Sequence, residues 1–316
     1  MAGKLGVLER SSCALPRTHE GHARVRISRC LGIGVILRHA GHAATSCAHG
    51  ADVDTRCSGV GAGLCDRVVN RRHQSAGLFA ALYKRITIAV GAAVKNGAFQ
   101  DGPRMERFDA AFAGRYFDAL NGYFHPSQFP RPTRSWQRTF DGADRPDPII
   151  LQHMLAGVNA HIDLDLGITA QNIAPATKLP KLHDDFNTIN AVLASQVNGL
   201  VNDMNQLSPR LAELYQVLAD NEIFLIDKAV AAMRDSAWRF AILLAVVPGF
   251  TRPVAIWARD QKVAAQADLI YHPPGIIGVI ETTVREIAEE ESRDVVRNIQ
   301  VLDEIASTPA PIKTTL

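Results

Sequence analysis

From residue 76 onward, apolar residues recur every three or four positions, which is the spacing of one face of an α-helix. The alternation of apolar and polar residues that marks a half-buried β-strand is scarce in this part of the chain. The pattern therefore predicts an all-α protein. We expect a single bundle-like domain of several helices over residues 76–306, followed by a short flexible tail at 307–316.

Proline and glycine indicate where several of these helices begin and end. Pro103 and Pro148 suit the first turn of a helix, where proline loses no hydrogen bond. Residues 126–148 hold five prolines and predict an extended connection. Gly167 predicts the end of the helix that begins near Pro148, and residues 280–306 predict one last amphipathic helix.

The first quarter of the chain has a different composition from the rest. All five cysteines of the 316-residue chain lie within residues 1–75, whereas the first of its twenty aromatic residues is Phe79. A segment without aromatic side chains has little with which to build a core, so we predict disorder there. The same composition fits the translation of GC-rich DNA upstream of a true start. The cysteines contain no C-x2-C pair, which argues against a zinc knuckle.

Several function classes are disfavoured by composition and by missing motifs. The formal net charge is only +2, which does not suggest a nucleic-acid binder. No run reaches the roughly 20 apolar residues of a membrane span, so a cytoplasmic location is the default expectation. A Walker loop, a G-x-S-x-G elbow and an H-E-x-x-H motif are all absent. The oligomeric state is left open.

One carboxylate stands out when residues 148–166 are placed on a helical wheel. Asp165 falls in the middle of the apolar stripe and His161 falls on its edge, while Asn159 and Asp163 point away. Asp165 would also lie in the last turn of the helix, where the helix dipole disfavours negative charge. A buried carboxylate there needs a cation or several hydrogen-bond donors.

The first interpretation of this requirement is a divalent metal ion that supports hydrolysis. His161 and Asp165 are one turn apart, about 6 Å of rise, which suits two ligands of one ion. His183, Asp184 and Asp185 form a second group of metal-ligating types. The order of His161, His183-Asp184 and then Asp220 or Asp227 also imitates the helical HD-type phosphohydrolases.

Two further interpretations need no metal. In one, the cation is Arg239 or Arg259, both of which lie in apolar surroundings in the sequence. In the other, Asp165 closes the helix end while His161 donates a hydrogen bond to it. Under either interpretation, the His161 and Asp165 pair is a structural network rather than a catalytic centre.

Two non-enzymatic functions also remain open. The helices would enclose a pocket for an apolar small molecule if aromatic residues such as Phe108, Phe112, Trp238 and Trp257 lined it. Alternatively, an exposed apolar helix face, such as that of residues 280–306, would bind a protein partner.

Three segments carry a resemblance to a known family. HMLAGVNAHIDLDLG (153–167), LHDDFNTINAVL (182–193) and the surroundings of Trp238-Arg239 resemble the uncharacterised, mostly bacterial family called domain of unknown function 5995. The likeness spans roughly residues 80–305. It implies a helical single domain and marks the segment around Asn159, His161 and Asp165 as the site, but it implies no reaction.

Overall fold

A computed structural model describes residues 76–143, 145–204, 206–220, 226–272, 278–307 and residue 311. Over this part of the chain the protein is helical and contains no β-strand, so the prediction of an all-α fold is confirmed. The α-helices are α1 (Ala76–Lys95), α2 (Gly102–Phe124), α3 (Arg134–Ala143), α4 (Ile150–Val158), α5 (Gly167–Ile173), α6 (His183–Met204), α7 (Leu211–Asp220), α8 (Ile226–Val246), α9 (Arg252–Tyr271), α10 (Gly278–Glu290) and α11 (Val295–Ser307). Short 3₁₀ turns occupy Ala176–Leu182 and Gly249–Thr251.

The fold is organised around one continuous rod, Ile150–Ile173, which we call the central helix. It consists of α4, a π-helical segment at Asn159–Leu166, and α5. Every residue of the π-helical segment is buried. A helix that is buried on all sides lies in the interior of a protein, and this one is packed among α2, α3, α8 and α9.

The π-helical geometry changes which side chains face the interior. The wheel assumed α-helical spacing and a helix with one exposed side, so it directed Asn159 and Asp163 away from the core. Both residues are in fact buried, at 0% and 2% exposure. The wheel was correct for Asp165 and His161, which are 1% and 2% exposed. π-Helical turns are rare and occur often at functional sites.

Gly167 does not end the central helix as predicted. Its φ of −66° and ψ of −38° are helical, and the rod continues to Ile173. The glycine is instead required by packing, because a Cβ at this position would lie 2.6 Å from the carbonyl oxygen of Ala237 in α8. The missing side chain therefore allows two helix backbones to approach closely.

Two further segment predictions were wrong in detail. The region 126–148 was expected to be extended, but it contains α3, in which Trp136 and Phe140 are almost fully buried. The single helix expected at 280–306 is two helices, α10 and α11. Their inward residues Ile287 and Leu302 pack into the core with Leu78 of α1, so this apolar face is covered by the chain itself.

Within the described part of the chain, α1 is the one helix with the length and composition of a membrane span. Of its most apolar stretch, 56% is buried inside the protein. This is weak evidence for a span, since the core helix of a soluble protein has the same length and composition. The predicted disorder of residues 1–75 lies outside the described residues, as does most of the tail at 307–316.

Candidate functional site

The buried carboxylate of Asp165 has a cation and two further hydrogen-bonding neighbours. Arg115 of α2 donates from Nε to Oδ1 at 2.6 Å, and Trp136 of α3 donates from Nε1 to Oδ2 at 2.8 Å. His161, one turn earlier, places Nδ1 3.4 Å from Oδ2. Burial raises the pKa of Asp165, but the Arg115 charge and the hydrogen bonds from His161 and Trp136 outweigh it and hold the pKa below its usual value. The carboxylate is therefore ionised.

The prediction that Arg239 or Arg259 neutralises Asp165 was wrong. Arg259 pairs with Asp163 instead, and donates from Nε to the backbone oxygen of Asp163 at 2.8 Å. Arg239 is exposed. The wheel could not assign Arg259 correctly because it placed Asp163 outside the core.

Arg115 was not predicted as the partner of Asp165, although its position in the sequence indicates that it is partly buried. Phe108, Phe112, Arg115 and Ala119 recur at steps of four, three and four along α2, which is the spacing of a buried helix face. An arginine within such a stripe needs an anion in the neighbouring helix. Nothing in the sequence states which neighbour supplies it.

His161 is held in one protonation state by this network. Burial lowers the pKa of His161, while the hydrogen bond and charge of Asp165 oppose that effect. A neutral ring beside an ionised carboxylate donates from Nδ1, which leaves a lone pair on Nε2. The Nε2 atom is buried and has no hydrogen-bond partner among the described residues. Such an imidazole can accept a hydrogen bond, ligate a metal ion or act as a general base.

Aromatic rings fix the orientation of this imidazole. Phe112 stacks on it with a centroid distance of 3.6 Å and an interplanar angle of 9°, and Tyr83 meets it edge-on at 4.8 Å. Phe79 and Trp136 lie at 5.7 and 5.9 Å. Because the ring is enclosed in this way, Nε2 keeps a defined direction.

His161 lines an apolar cavity between the central helix and helices α1, α2, α6 and α8. The cavity volume is about 120 Å³, which is far more than one water molecule needs. Its lining residues are Phe79, Leu82, Tyr83, Ile86, Val90, Phe108, Asp109, Phe112, Leu151, Met154, Leu155, Val158, His161, Ile162, Leu166, Ile189, Leu193, Val230 and Arg234. Of the four aromatic residues proposed for a pocket, Phe108 and Phe112 line this cavity. Trp238 packs on Phe186, and Trp257 is 63% exposed.

Four lining residues carry polar groups. They are His161, Tyr83, Asp109 and Arg234. The Tyr83 hydroxyl is buried without a hydrogen-bond partner among the described residues. Its pKa is raised well above the usual value by burial and then by the negative charge of Asp109. Burial also raises the pKa of Asp109 to about 7. The cavity is therefore apolar with a few separated polar points, as in ligand sites.

Removing the Asp109 carboxylate should stabilise the protein at alkaline pH. Its pKa is about 7 in the folded state against 3.8 when unperturbed, so between these values only the folded chain keeps the proton. Folding stability due to this group therefore falls as the pH rises from about 4 to 7 and is constant above that. We expect Asp109→Asn to be more stable than the parent by about 1–2 kcal/mol at pH 8, but equal at pH 4. Urea denaturation at both pH values measures this; an equal difference at both would contradict the assigned pKa.

The second predicted group of metal ligands lies elsewhere. His183 is exposed and packs on Trp238 at 4.7 Å. Asp184 is exposed and accepts a hydrogen bond from the Gln100 side chain at 2.9 Å. Asp185 is buried and accepts from the backbone nitrogens of residues 100 and 101 and from Arg104.

The proposed metal site is therefore not assembled by these residues. His161 and Asp165 are brought together, but His183 packs against α8 and Asp184 binds the segment just before α2. Over the described ranges, no group of three or more His, Cys, Asp or Glu side chains is arranged to hold a metal ion. Asp165 is also already engaged by Arg115 and Trp136.

The comparison with known families agrees with the resemblance seen in the sequence. The sequence model of DUF5995, a family of unknown function, matches residues 64–273, which is more than half of the chain. The chain belongs to the DUF5995 family. The match begins twelve residues before α1 and ends after α9, so it includes the whole central helix and excludes α10 and α11. Neither the curated proteins nor the solved structures contain a match to the chain.

Proposed function

We propose that this DUF5995 protein binds an apolar small molecule in the cavity beside His161. The observation that carries the proposal is an apolar cavity whose wall contains two hydrogen-bonding atoms with no partner among the described residues, Nε2 of His161 and the hydroxyl of Tyr83. Protein interiors are close-packed, and buried polar atoms are normally paired. A bound molecule would fill the cavity and also provide hydrogen-bond partners for these atoms.

The ligand should be mostly apolar and should carry at least one hydrogen-bonding group. The walls supply apolar contacts from five helical segments, which would bury most of a lipid-like or aromatic molecule. Neutral His161 offers an acceptor at Nε2, so a ligand hydroxyl or amide N–H suits that position. Asp165, Arg115 and Trp136 hold the imidazole in place rather than touch the ligand.

Metal-dependent hydrolysis receives less support from the same residues. Two protein ligands are fewer than the three that a catalytic zinc site uses, and the Asp165 oxygens already accept hydrogen bonds. The described residues lining the cavity also include no serine or cysteine nucleophile. We therefore favour binding over hydrolysis.

Filling the cavity should abolish binding of an apolar probe. Ile86 of α1 is half-buried and lines the cavity, so Ile86→Trp should occupy the ligand volume. We expect the uncharged fluorophore N-phenyl-1-naphthylamine to bind the full chain with enhanced emission. The substitution should reduce the affinity for the probe at least tenfold. The indole would exclude the probe from apolar surface, and each Å² that the probe no longer buries costs about 25 cal/mol of binding free energy. Titration followed by fluorescence measures the change.

The matched control lies two residues away on the same helix. Ile88 is 37% exposed and does not line the cavity, so Ile88→Trp should bind the probe as the parent does. Failure of the parent to bind the probe, or equal binding by both variants, would contradict the proposal. Mass spectrometry of small molecules that co-purify with the protein gives an independent check.

A further inference from the structure

The cavity wall contains a buried positive charge that forms no ion pair with any described residue. Arg234 of α8 is 3% exposed and lines the cavity. Its Nε donates to the side-chain oxygen of Asn190, and one terminal nitrogen donates to the backbone oxygen of Phe186 at 2.9 Å. The guanidinium also lies 4.4 Å from the centre of the Phe186 ring. All of these partners are neutral. The charge of the neighbouring Asp235 also acts on Arg234, but Asp235 is exposed and forms no ion pair with it in the described structure.

An arginine in this position is costly unless an anion meets it. Burial lowers the pKa of Arg234 to about 9, so the group still carries its charge at neutral pH. Removing a charge from water without a counter-charge is strongly unfavourable. Half-buried Arg259, by comparison, pairs with the carboxylate of Asp163.

Asp109, which also lines the cavity, does not supply this anion. The pKa of Asp109 is raised by burial alone, and a nearby guanidinium would instead lower it. No ion pair joins the two residues in the described structure. Among the described residues that line the cavity, Arg234 is therefore a cation that can pair with a negative charge on a ligand.

We propose that Arg234 binds the carboxylate of the ligand, and that the ligand is a long-chain monocarboxylic acid. This inference rests on the proposed function of the cavity and names the class of its ligand. Two of the three guanidinium nitrogens are used by Asn190 and Phe186, which leaves one terminal nitrogen to donate to the ligand. A single positive charge in apolar surroundings matches one negative charge better than the greater charge of a phosphate monoester. The apolar chain of the acid lies along the cavity walls, and a chain that carries a hydroxyl group would also donate to Nε2 of His161.

The test compares ligands that differ only in the head group. The full chain, freed of lipid, is loaded with N-phenyl-1-naphthylamine, and the probe is displaced with palmitate, hexadecanol or hexadecyl phosphate. We expect palmitate to displace the probe at concentrations about tenfold lower than hexadecanol does, because a hydrogen bond to a charged group is worth about this much. Hexadecyl phosphate should be weaker than palmitate.

A variant and its control locate the preference at Arg234. Arg234→Met should lose the preference for palmitate over hexadecanol, while hexadecanol still displaces the probe within about twofold of the parent concentration. Arg239→Met, at an exposed position five residues later on α8, should keep the preference. The comparison of acid and alcohol in the parent protein stands whether or not the Arg234 variant folds.

The outcomes separate this inference from the proposed function. Equal displacement by palmitate and hexadecanol, or an unchanged preference in Arg234→Met, would overturn the role of Arg234 but leave apolar binding intact. A stronger effect of hexadecyl phosphate would overturn the carboxylate as the head group. If the probe does not bind the parent protein at all, both proposals fail.

Discussion

Replacing Arg115 by methionine should lower the free energy of unfolding by about 3–5 kcal/mol, because it leaves the Asp165 carboxylate buried without a cation. Asp165 is 1% exposed and Arg115 is 29% exposed, so the loss arises mainly from the stranded carboxylate. Hydrogen bonds from Trp136 and His161 remain, but neither residue carries a full positive charge, since burial keeps His161 neutral. Urea denaturation at pH 7 measures the change.

The pH dependence of this loss in unfolding free energy tests whether the Asp165 carboxylate causes it. Asp165 has a lowered pKa in the parent protein, so its stabilising contribution is present above the unfolded value near 3.8 and is lost as the pH falls through the folded value. Without Arg115, burial should raise the pKa, and a protonated carboxyl group needs no cation. The difference between variant and parent should therefore shrink toward acid pH.

A surface pair gives the matched control for the Arg115 substitution. Arg138 lies 3.7 Å from Asp268, and these side chains are 43% and 52% exposed. Exposed ion pairs contribute little, so Arg138→Met should cost less than about 1 kcal/mol. Equal losses in the two variants would show that Asp165 has no special need for its cation, and the assignment of the site would fail with it.

Adding one methyl group at Gly167 should destabilise the protein by about 2–3 kcal/mol. This is the opposite of the usual effect of Gly→Ala inside a helix, where alanine is the more stabilising residue. The new Cβ would lie 2.6 Å from the carbonyl oxygen of Ala237 and 3.0 Å from Cδ1 of Phe240. The first of these is backbone and cannot rotate away, so α8 has to move from the central helix. Thermal unfolding at neutral pH measures the loss.

Gly114 provides the comparison, because it also lies inside a helix but has open space around it. No atom lies within 4 Å of a Cβ built at this position in α2. Gly114→Ala should therefore stabilise the protein by about 0.5–1 kcal/mol, as expected for a glycine in a helix interior. If Gly167→Ala stabilised the protein by a similar amount, the close contact between the central helix and α8 would be disproved.

The candidate site was only half predictable from sequence, and the residues show why. His161 and Asp165 lie one turn apart on a single helix, so their proximity follows from local geometry. Arg115 and Trp136 are separated from Asp165 by 50 and 29 residues, so their contact depends on how α2 and α3 pack. His183 and Asp184 were grouped with the site by residue type alone, and packing placed them against Trp238 and Gln100 instead.

The cavity illustrates the same limit for a different reason. Phe108 and Phe112 could be assigned to an apolar face from their spacing, but a pocket exists only where facing side chains fail to fill the space between helices. Asp109 and Arg234 lie on different helices, and only the structure shows that neither forms an ion pair with another described residue. A charge in a sequence does not indicate whether a partner is present.

Local patterns by themselves determined the helical class and the need of one aspartate for a positive charge, since each follows from the spacing of side chains along a helix. The family was indicated by the resemblance of three sequence segments. The tertiary structure alone decided that the central helix is buried on every side, that it contains a π-helical segment, and that Gly167 serves packing rather than termination. The reason is physical: the polar side chains Asn159, Asp163 and Asp165 are fixed by contacts with other helices. Asn159 and Asp163 bind α9, whereas Asp165 binds α2 and α3. Those neighbours are far away in sequence, and only folding brings them to the central helix.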